Sequence, residues 1–127
     1  MKKLVFYKCS HCGNVSIKLV DKKVPMFCCG QMMQELKANT TDAAQEKHVP
    51  VVLVNKNLVN VEVGSVTHPM TEEHYIQFIV LETNLGYKVR ELQPTDTPTA
   101  SFMCVEGEEC VAVYEYCNLH GLWVYNF

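Results

Sequence analysis

The stretch "CVAVYEYCNLHGLWVYNF", residues 110–127, decides the fold class. Two runs of β-branched and aromatic residues flank the polar turn NLHG, which is the pattern of two antiparallel strands joined by a turn. Cys117 stands at the start of this turn, three positions before His120. A thiolate and an imidazole can bind the same metal ion, but two side chains alone hold an ion poorly. The stretch therefore predicts a β-hairpin that carries part of a metal site.

The same strand pattern recurs from Val49 to the end of the sequence. Seven segments have strand character, and turn residues separate them: VPVVLV, LVNVEVGSV, HYIQFIVLET, YKVREL, ASFMCVEG, CVAVYEYC and LWVYNF. No amphipathic helical pattern interrupts them. Seven short strands at this spacing predict an all-β fold, specifically an antiparallel sandwich of immunoglobulin-like type.

The N-terminal residues form a separate module that contains four of the seven cysteines. KLVFYKC and NVSIKLV have strand character, and CSHCGN supplies the turn between them. So small a unit has little apolar area to bury, and we expect a metal to hold it together. The polar segment KANTTDAAQEK that follows indicates a linker with at most one helical turn, for which Asp42 is the candidate start. We therefore predict two domains, residues 1–37 and residues 38–127.

Composition and charge exclude several classes of protein. Hydrophobic residues make up 48% and charged residues 20%, which is typical of a soluble globular chain. No run approaches the roughly 18 to 20 apolar residues of a membrane-spanning helix, and no export signal is recognisable, so we predict a cytoplasmic protein. The net charge of -3 and the dispersed basic residues argue against nucleic acid as a partner. An odd cysteine count without an export signal favours metal ligation over disulfides.

The first candidate metal site consists of Cys9, Cys12, Cys28 and Cys29. Cys9 and Cys12 form a C-x2-C knuckle, and four thiolates of this kind suit tetrahedral zinc or a single iron. Zinc ribbons and rubredoxins repeat C-x2-C in both halves, whereas here the second pair is adjacent. Adjacent side chains diverge, so convergence on one ion requires a strained backbone or a distorted tetrahedron, which suits redox-active iron better than structural zinc. His11, inside the knuckle, is expected to face solvent.

The second candidate site combines Cys117 with four histidines at strand ends and in loops: His48, His68, His74 and His120. Prolines close behind two of these histidines restrict where the rings can point. Five donors are one too many for tetrahedral zinc, and they suit a six-coordinate ion with one open position. Ferrous iron is the natural candidate.

The other distinctive residues have simpler interpretations. Cys104 and Cys110 lie in alternating strand patterns and are predicted to be structural, because free cysteine is among the most buried residue types. Trp123, Phe78 and Ile76 are predicted to be core residues rather than contacts of a cofactor.

Taken together, these motifs resemble those of the desulfoferrodoxins, the two-iron form of superoxide reductase. C-x2-C-x15-CC resembles the desulforedoxin-type, rubredoxin-like centre of that family, and EKHVP, HPMTEEH and CNLHG resemble its three catalytic loops. The resemblance implies two irons per chain. The first is bound by Cys9, Cys12, Cys28 and Cys29; the second has an equatorial plane of four histidines and an axial thiolate: His48, His68, His74, His120 and Cys117.

The resemblance also implies an activity, the one-electron reduction of superoxide to hydrogen peroxide at the second, non-haem iron. This reaction defends against oxidative stress without producing dioxygen. Lys47 is implied to attract the anionic substrate, and Glu46 to be the sixth ligand of the resting ferric centre. From the sequence pattern alone, Glu46 and Lys47 indicate only two neighbouring charges exposed to solvent. Rubredoxin or a similar small carrier is the implied electron donor, and the implied assembly is a homodimer.

Three rival functions fit parts of the sequence. A zinc ribbon on an immunoglobulin-like binding domain would give a colourless protein. An electron carrier that used only the tetrathiolate iron would leave four histidines and Cys117 without a role. A superoxide dismutase would share the substrate but evolve dioxygen.

Overall fold

The computed structural model describes residues 3–41 and 43–127. The chain forms two compact units, Leu4–Lys37 and Ala38–Phe127, and Lys3 belongs with the second. Within the described residues there are twelve strands and one helical turn, so the all-β prediction is confirmed. No helix in this part of the chain is long and apolar enough to cross a membrane.

The N-terminal unit consists of five very short strands: β1 (Phe6–Lys8), β2 (Val15–Ile17), β3 (Phe27–Cys28), β4 (Gln31–Met32) and β5 (Gln34–Glu35). β1 pairs with β2 and with β5 in an antiparallel sheet of order β2-β1-β5, and β3 pairs with β4 as a separate hairpin. Its buried apolar side chains are few: Phe6, Cys9 and Met33. A core of this size supplies little stability without a further constraint such as a bound metal.

The second unit begins with the helical turn α1 (Gln45–His48). Asp42, the predicted start of a helical turn, lies outside the described residues. Seven strands follow: β6 (Pro50–Asn55), β7 (Leu58–Val63), β8 (Ile76–Thr83), β9 (Gly86–Glu91), β10 (Thr99–Met103), β11 (Cys110–Cys117) and β12 (Gly121–Asn126). They form two antiparallel sheets of order β10-β7-β6 and β12-β11-β8-β9. The predicted seven-stranded sandwich is confirmed.

Alternating apolar residues of both sheets form the core. Val59, Val61 and Val63 of β7 are each buried, as the period of two along a strand requires. The register of β8 against β11 shifts between Tyr116 and Cys117, so that Tyr116 pairs with Phe78 but Cys117 pairs with Ile76. One extra residue of β8 therefore lies opposite β11 at this point, as in a β-bulge.

This bulge changes the outcome for one predicted core residue. Ile76 and Ile79 both lie in the core although they are three positions apart. Phe78 instead lies on the other face of the sheet, where it is partly exposed and stacks on Tyr116 with ring centroids 5.5 Å apart. The prediction that Phe78 belongs to the core is therefore wrong, whereas that for Ile76 is confirmed.

The strand ends explain how one end of the sandwich collects the candidate ligands. β11 ends at Cys117, where it meets the first residues of β8 and β12 because both neighbours run antiparallel to it. His74 lies just before β8, and His120 lies just before β12. α1 ends at His48, directly before β6. Loops that are distant in sequence are thus brought to the same place.

Candidate metal centres

Five side chains converge at this end of the sandwich: His48, His68, His74, Cys117 and His120. One ligand atom from each lies within 4.8 Å of the others. All five members of the predicted second site are therefore brought together, from α1, from the long β7–β8 connection and from the β11–β12 turn.

The four imidazoles are arranged as the sides of a square. Neighbouring ring centroids are 4.7 to 5.0 Å apart in the cyclic order His48, His68, His74, His120. Neighbouring ring planes meet at 76 to 90°. Each ring thus presents an edge to a common centre, which is the arrangement that four equatorial nitrogen ligands require.

Backbone carbonyls fix which nitrogen of two rings faces that centre. His48 Nδ1 lies 2.7 Å from the Ala44 carbonyl oxygen, and His68 Nδ1 lies 2.7 Å from that of Pro69. A carbonyl only accepts, so each Nδ1 carries the proton and each Nε2 keeps a free lone pair. These two Nε2 atoms are only 3.1 Å apart. Two lone pairs at this distance repel each other unless a cation lies between them, which fits a metal site.

The remaining donors also fit a bound cation. His74 Nε2 is buried and has no hydrogen-bond partner among the described residues, which is costly unless a metal satisfies it. His120 turns its Nδ1 inward, 3.0 Å from His48 Nε2. Burial lowers the pKa of His48 and His74 and lowers that of His68 to about 4. His48, His68 and His74 therefore favour the neutral form at pH 7, which is the form that binds metals.

Cys117 is fully buried at the end of β11. Burial raises the pKa of its thiol, while the backbone amides of Leu119 and His120 donate to the sulfur and oppose that rise. A thiolate here therefore needs a cation beside it. Four imidazoles and one thiolate suit a six-coordinate iron with one position left for substrate.

The four N-terminal cysteines converge as well. The sulfurs of Cys9, Cys12, Cys28 and Cys29 all lie within 4.8 Å of one another. Cys12 Sγ is 3.6 Å from Cys28 Sγ. Backbone amides approach two of the sulfurs. The Cys12 amide lies 3.5 Å from Cys9 Sγ, and the Asn14 amide lies 3.4 Å from Cys12 Sγ. This is the predicted C-x2-C knuckle.

The adjacent pair converges through an unusual backbone conformation. Cys29 has a φ of 55°, and Gly30 has a φ of 73°. The left-handed region is unfavourable for a residue with a β-carbon, so the expected backbone strain is present at Cys29. The amide of Cys12 lowers the pKa of Cys9 to about 6, whereas the neighbouring Cys12 thiol raises the pKa of Cys29 to about 12. A bound cation would allow all four sulfurs to be thiolates together.

The family model described as Desulfoferrodoxin matches residues 40–126. The chain belongs to the desulfoferrodoxin family. Desulfoferrodoxin from Syntrophotalea carbinolica is 47% identical over 122 residues, which cover 96% of this chain and 95% of that protein. The crystal structure of the superoxide reductase from Treponema pallidum has 34% identity and a TM-score of 0.83, and the match covers 98% of this chain and 100% of that one.

A shorter solved structure matches only part of this desulfoferrodoxin. The superoxide reductase (1Fe-SOR) from Giardia intestinalis is 34% identical with a TM-score of 0.57, and the match covers 97% of that chain but 65% of this one. The two donor sets of the present chain correspond to two iron centres, one tetrathiolate and one with four histidines and a cysteine.

Two residues of this desulfoferrodoxin support the catalytic centre in ways that the sequence patterns did not reveal. Asn118 accepts a hydrogen bond from the Tyr75 amide through Oδ1 and donates one to the Glu73 carbonyl through Nδ2, each at 3.0 Å. Asn118 thus ties the loop of His74 to the turn that follows Cys117. The sequence does show an asparagine in the turn between two ligands, but the pattern by itself indicates only a turn residue.

Trp123 is the second such residue. It is buried, as predicted for a core residue, but it also stacks on the His48 ring with centroids 4.9 Å apart and an interplanar angle of 24°. Its Nε1 donates to the His120 carbonyl at 3.1 Å. The prediction that Trp123 is a core residue is therefore confirmed, and packing of β12 also places its ring against His48 at the end of α1.

Glu46 and Lys47 lie on α1 with exposed side chains, directly before buried His48. Burial is the largest cause that lowers the pKa of His48 and of His74, and the charge of Lys47 also lowers both. Its ammonium is therefore close enough to the centre for its charge to act there. The Glu46 carbonyl accepts from the Val66 amide at 2.8 Å and from Ser65 Oγ at 3.3 Å, which anchors α1 to the end of β7.

Proposed function

We propose that this desulfoferrodoxin reduces superoxide to hydrogen peroxide at the centre formed by His48, His68, His74, His120 and Cys117. The observation that carries the proposal is the square of four imidazole rings that present their edges to one point, together with a buried cysteine. These five side chains would hold ferrous iron, which would supply the one electron that the reduction of superoxide requires.

The protein's own residues prepare this centre in three ways. Burial favours the neutral form of His48, His68 and His74, and the Ala44 and Pro69 carbonyls hold the first two in the tautomer that directs Nε2 inward. Amides of the β11–β12 turn donate to the Cys117 sulfur and help to stabilise the thiolate. A thiolate ligand pushes electron density toward the metal and so favours electron transfer to substrate.

Lys47 is proposed to attract superoxide and to donate a hydrogen bond to it. The chain has a net charge of -3, so an anionic substrate needs a local cation near the centre. The exposure of Lys47 and the effect of its charge on His48 and His74 support this role. Glu46, its exposed neighbour, is proposed as the sixth ligand of the resting ferric centre. The protons of hydrogen peroxide come from solvent.

Residues 1–37 are proposed as a desulforedoxin-like iron domain and residues 38–127 as the catalytic domain. Convergence of four sulfurs within Leu4–Lys37 supports the first assignment. The match of a 1Fe-SOR to 65% of the chain supports a catalytic part that works without the tetrathiolate iron.

The oxidised centre must be reduced again after each turnover, and we propose rubredoxin or a similar small one-electron carrier as the donor.

A homodimer is proposed as the assembly, supported by three exposed apolar side chains on the edge strand β6: Val51, Leu53 and Val54. A cytoplasmic location is supported by seven cysteines that are all free thiols.

Product stoichiometry tests the activity. The reduced, iron-loaded protein is given superoxide while hydrogen peroxide and dioxygen are both measured. We expect as much peroxide as superoxide consumed and no dioxygen. Half as much peroxide together with dioxygen would identify a dismutase and reject the proposal. Iron analysis of the same sample, with two irons per chain expected, separates this function from a zinc-binding module.

A further inference from the structure

Two cysteines lie outside both iron centres, at the other end of the sandwich. β11 begins at Cys110 and ends at Cys117, so its length of about 23 Å separates the two ends. Cys104 follows β10 directly and is buried in the core cluster, against which half-buried Cys110 packs. The sequence pattern predicted both as structural thiols. Cys104 lies at the end of a strand of one sheet and Cys110 at the start of a strand of the other, so a covalent bond between them would link the two sheets.

The connection between these cysteines is held in a defined conformation. β10 belongs to the three-stranded sheet and β11 to the four-stranded one, so residues 104–110 cross from one sheet to the other. The Cys104 amide donates to the Asn57 carbonyl at 2.8 Å, and the Glu109 amide donates to Asn84 Oδ1 at 2.8 Å. Burial and then the neighbouring Cys104 thiol raise the pKa of Cys110 to about 11. This effect of Cys104 on Cys110 agrees with the geometry, because both side chains line the same cavity and Cys110 packs against the core cluster that contains Cys104.

A small oxidant can reach this pair. Both cysteines line an open cavity of about 350 Å³, which is also bordered by Lys56, Glu108 and Phe127. Hydrogen peroxide is only slightly larger than water and fits such a space.

We propose that Cys104 and Cys110 are a redox-active dithiol that hydrogen peroxide closes to a disulfide between the two sheets. This inference rests on the proposed function, because that reaction makes the peroxide. In the first step one sulfur attacks peroxide, the O–O bond breaks, and a sulfenic acid and one water form. In the second step the other thiol displaces the hydroxyl group, so that the S–S bond forms and a second water leaves. Overall the two thiols lose two protons and two electrons, and peroxide is reduced to two waters.

The high pKa of Cys110 sets the conditions under which the pair reacts. The thiolate is the reactive form, and little of it is present at neutral pH when the pKa is about 11. The pair therefore responds to accumulated peroxide rather than to each turnover.

The chain offers a direct assay for this disulfide. Iron-loaded protein is treated with hydrogen peroxide, denatured with an alkylating agent present, and cut by a protease specific for glutamate. Glu106, Glu108 and Glu109 lie between the two cysteines, so cleavage there leaves the cysteine peptides joined only by a disulfide. We expect a joined pair in the mass spectrum that separates after reduction. Recovery of both cysteines as alkylated thiols, or oxidation of either without the link, would overturn the proposal.

A second arm separates this inference from the proposed function. Superoxide turns into peroxide and dioxygen by itself, so the dithiol is tested with added hydrogen peroxide, with or without catalase to remove it, and the activity is tested by the product stoichiometry given above. The link should form without catalase and be absent with it. A link formed by added peroxide, in a preparation that evolves dioxygen from superoxide, would leave the dithiol intact as a proposal and reject the activity at the iron centre. Cys110→Ser is the control and must show no linked peptide in either arm.

Discussion

Gly64 lies directly against the backbone of Glu46. A β-carbon built on Gly64 would be 2.5 Å from the Glu46 carbonyl oxygen, closer than any such contact in real proteins. The same atom would be 2.6 Å from the Lys47 carbonyl carbon. The end of β7 therefore supports α1, and through α1 it positions His48 and Lys47 at the catalytic centre.

Gly64→Ala should consequently displace α1. We expect a loss of several kcal/mol in the free energy of unfolding, because a backbone clash adds to the cost of a positive φ, together with weaker binding of the catalytic iron. Gly107→Ala is a matched control, since Gly107 has nearly the same φ (83° against 82°) but open space around it. Urea unfolding and iron analysis of both variants measure the difference. Equal losses of stability and of bound iron in the two variants would show that the contact between Gly64 and α1 does not support the catalytic centre.

Lys47→Ile tests electrostatic attraction of the substrate. We expect superoxide capture to slow by on the order of tenfold and its dependence on ionic strength to flatten, with both irons retained. Lys22→Ile removes one charge from another exposed lysine and serves as the control for net charge. Rapid-mixing kinetics over a range of salt concentrations give the comparison. An unchanged rate of superoxide capture in Lys47→Ile would reject the proposal that Lys47 attracts the substrate.

Asn118→Ala removes the two side-chain hydrogen bonds that tie the His74 loop to the turn after Cys117, and leaves the backbone bond from the Asn118 amide to the Tyr75 carbonyl. Loss of such supporting contacts typically weakens metal binding by about 10- to 100-fold, and we expect that range for the catalytic iron. The control is Asn84→Ala, which removes a comparable bond to the Glu109 amide at the other end of the sandwich. Competition with a chelator measures the affinity. Equal iron affinity in the two variants would contradict the positioning role.

The sequence predicted what depends on local pattern and on side-chain chemistry. Strand alternation gave the seven strands of the sandwich, and residue type indicated which side chains would converge. Contacts between distant segments were not predictable in this way. Asn118 bonds to Tyr75, 43 positions away, and Trp123 of β12 stacks on His48 of α1. The bulge that moves Phe78 out of the core depends on the register with β11, which no local signal fixes.

Glu108 provides a pH-dependent prediction at the end of the sandwich opposite the catalytic centre. Its carboxylate accepts hydrogen bonds from Thr83 Oγ1 at 2.6 Å and the Val105 amide at 3.0 Å, and Lys88 Nζ lies 3.2 Å away. The hydrogen bond from the Thr83 hydroxyl is the largest cause that lowers the pKa of Glu108 below its ordinary value, and the bond from the Val105 amide is the second. In the range between the folded and unfolded pKa values the unfolded state binds more protons, so the free energy of unfolding falls as pH falls.

Glu108→Gln should therefore be less stable than the wild type at pH 7, by about 1 to 2 kcal/mol for the weakened hydrogen bonds. The difference should shrink as the pH falls below the ordinary pKa of a glutamate, because the unfolded wild-type chain then takes up a proton that the folded carboxylate binds only at lower pH. Denaturant unfolding at several pH values measures it, and Glu106→Gln, at an exposed position in the same loop, is the control. A difference that stayed constant with pH would rule out the carboxylate as its source.

Cys117→Ser replaces the buried sulfur with an oxygen of similar shape. A serine hydroxyl does not ionise at neutral pH, so the centre would lose its only anionic ligand among the five converging side chains and the electron density that a thiolate supplies. We expect superoxide reduction to be abolished and the thiolate-to-iron absorption of the oxidised centre to disappear, while the tetrathiolate iron keeps its own colour. Cys110→Ser makes the same chemical change at the other end of β11 and should keep full activity. Normal turnover in Cys117→Ser would show that the catalytic centre does not depend on the thiolate.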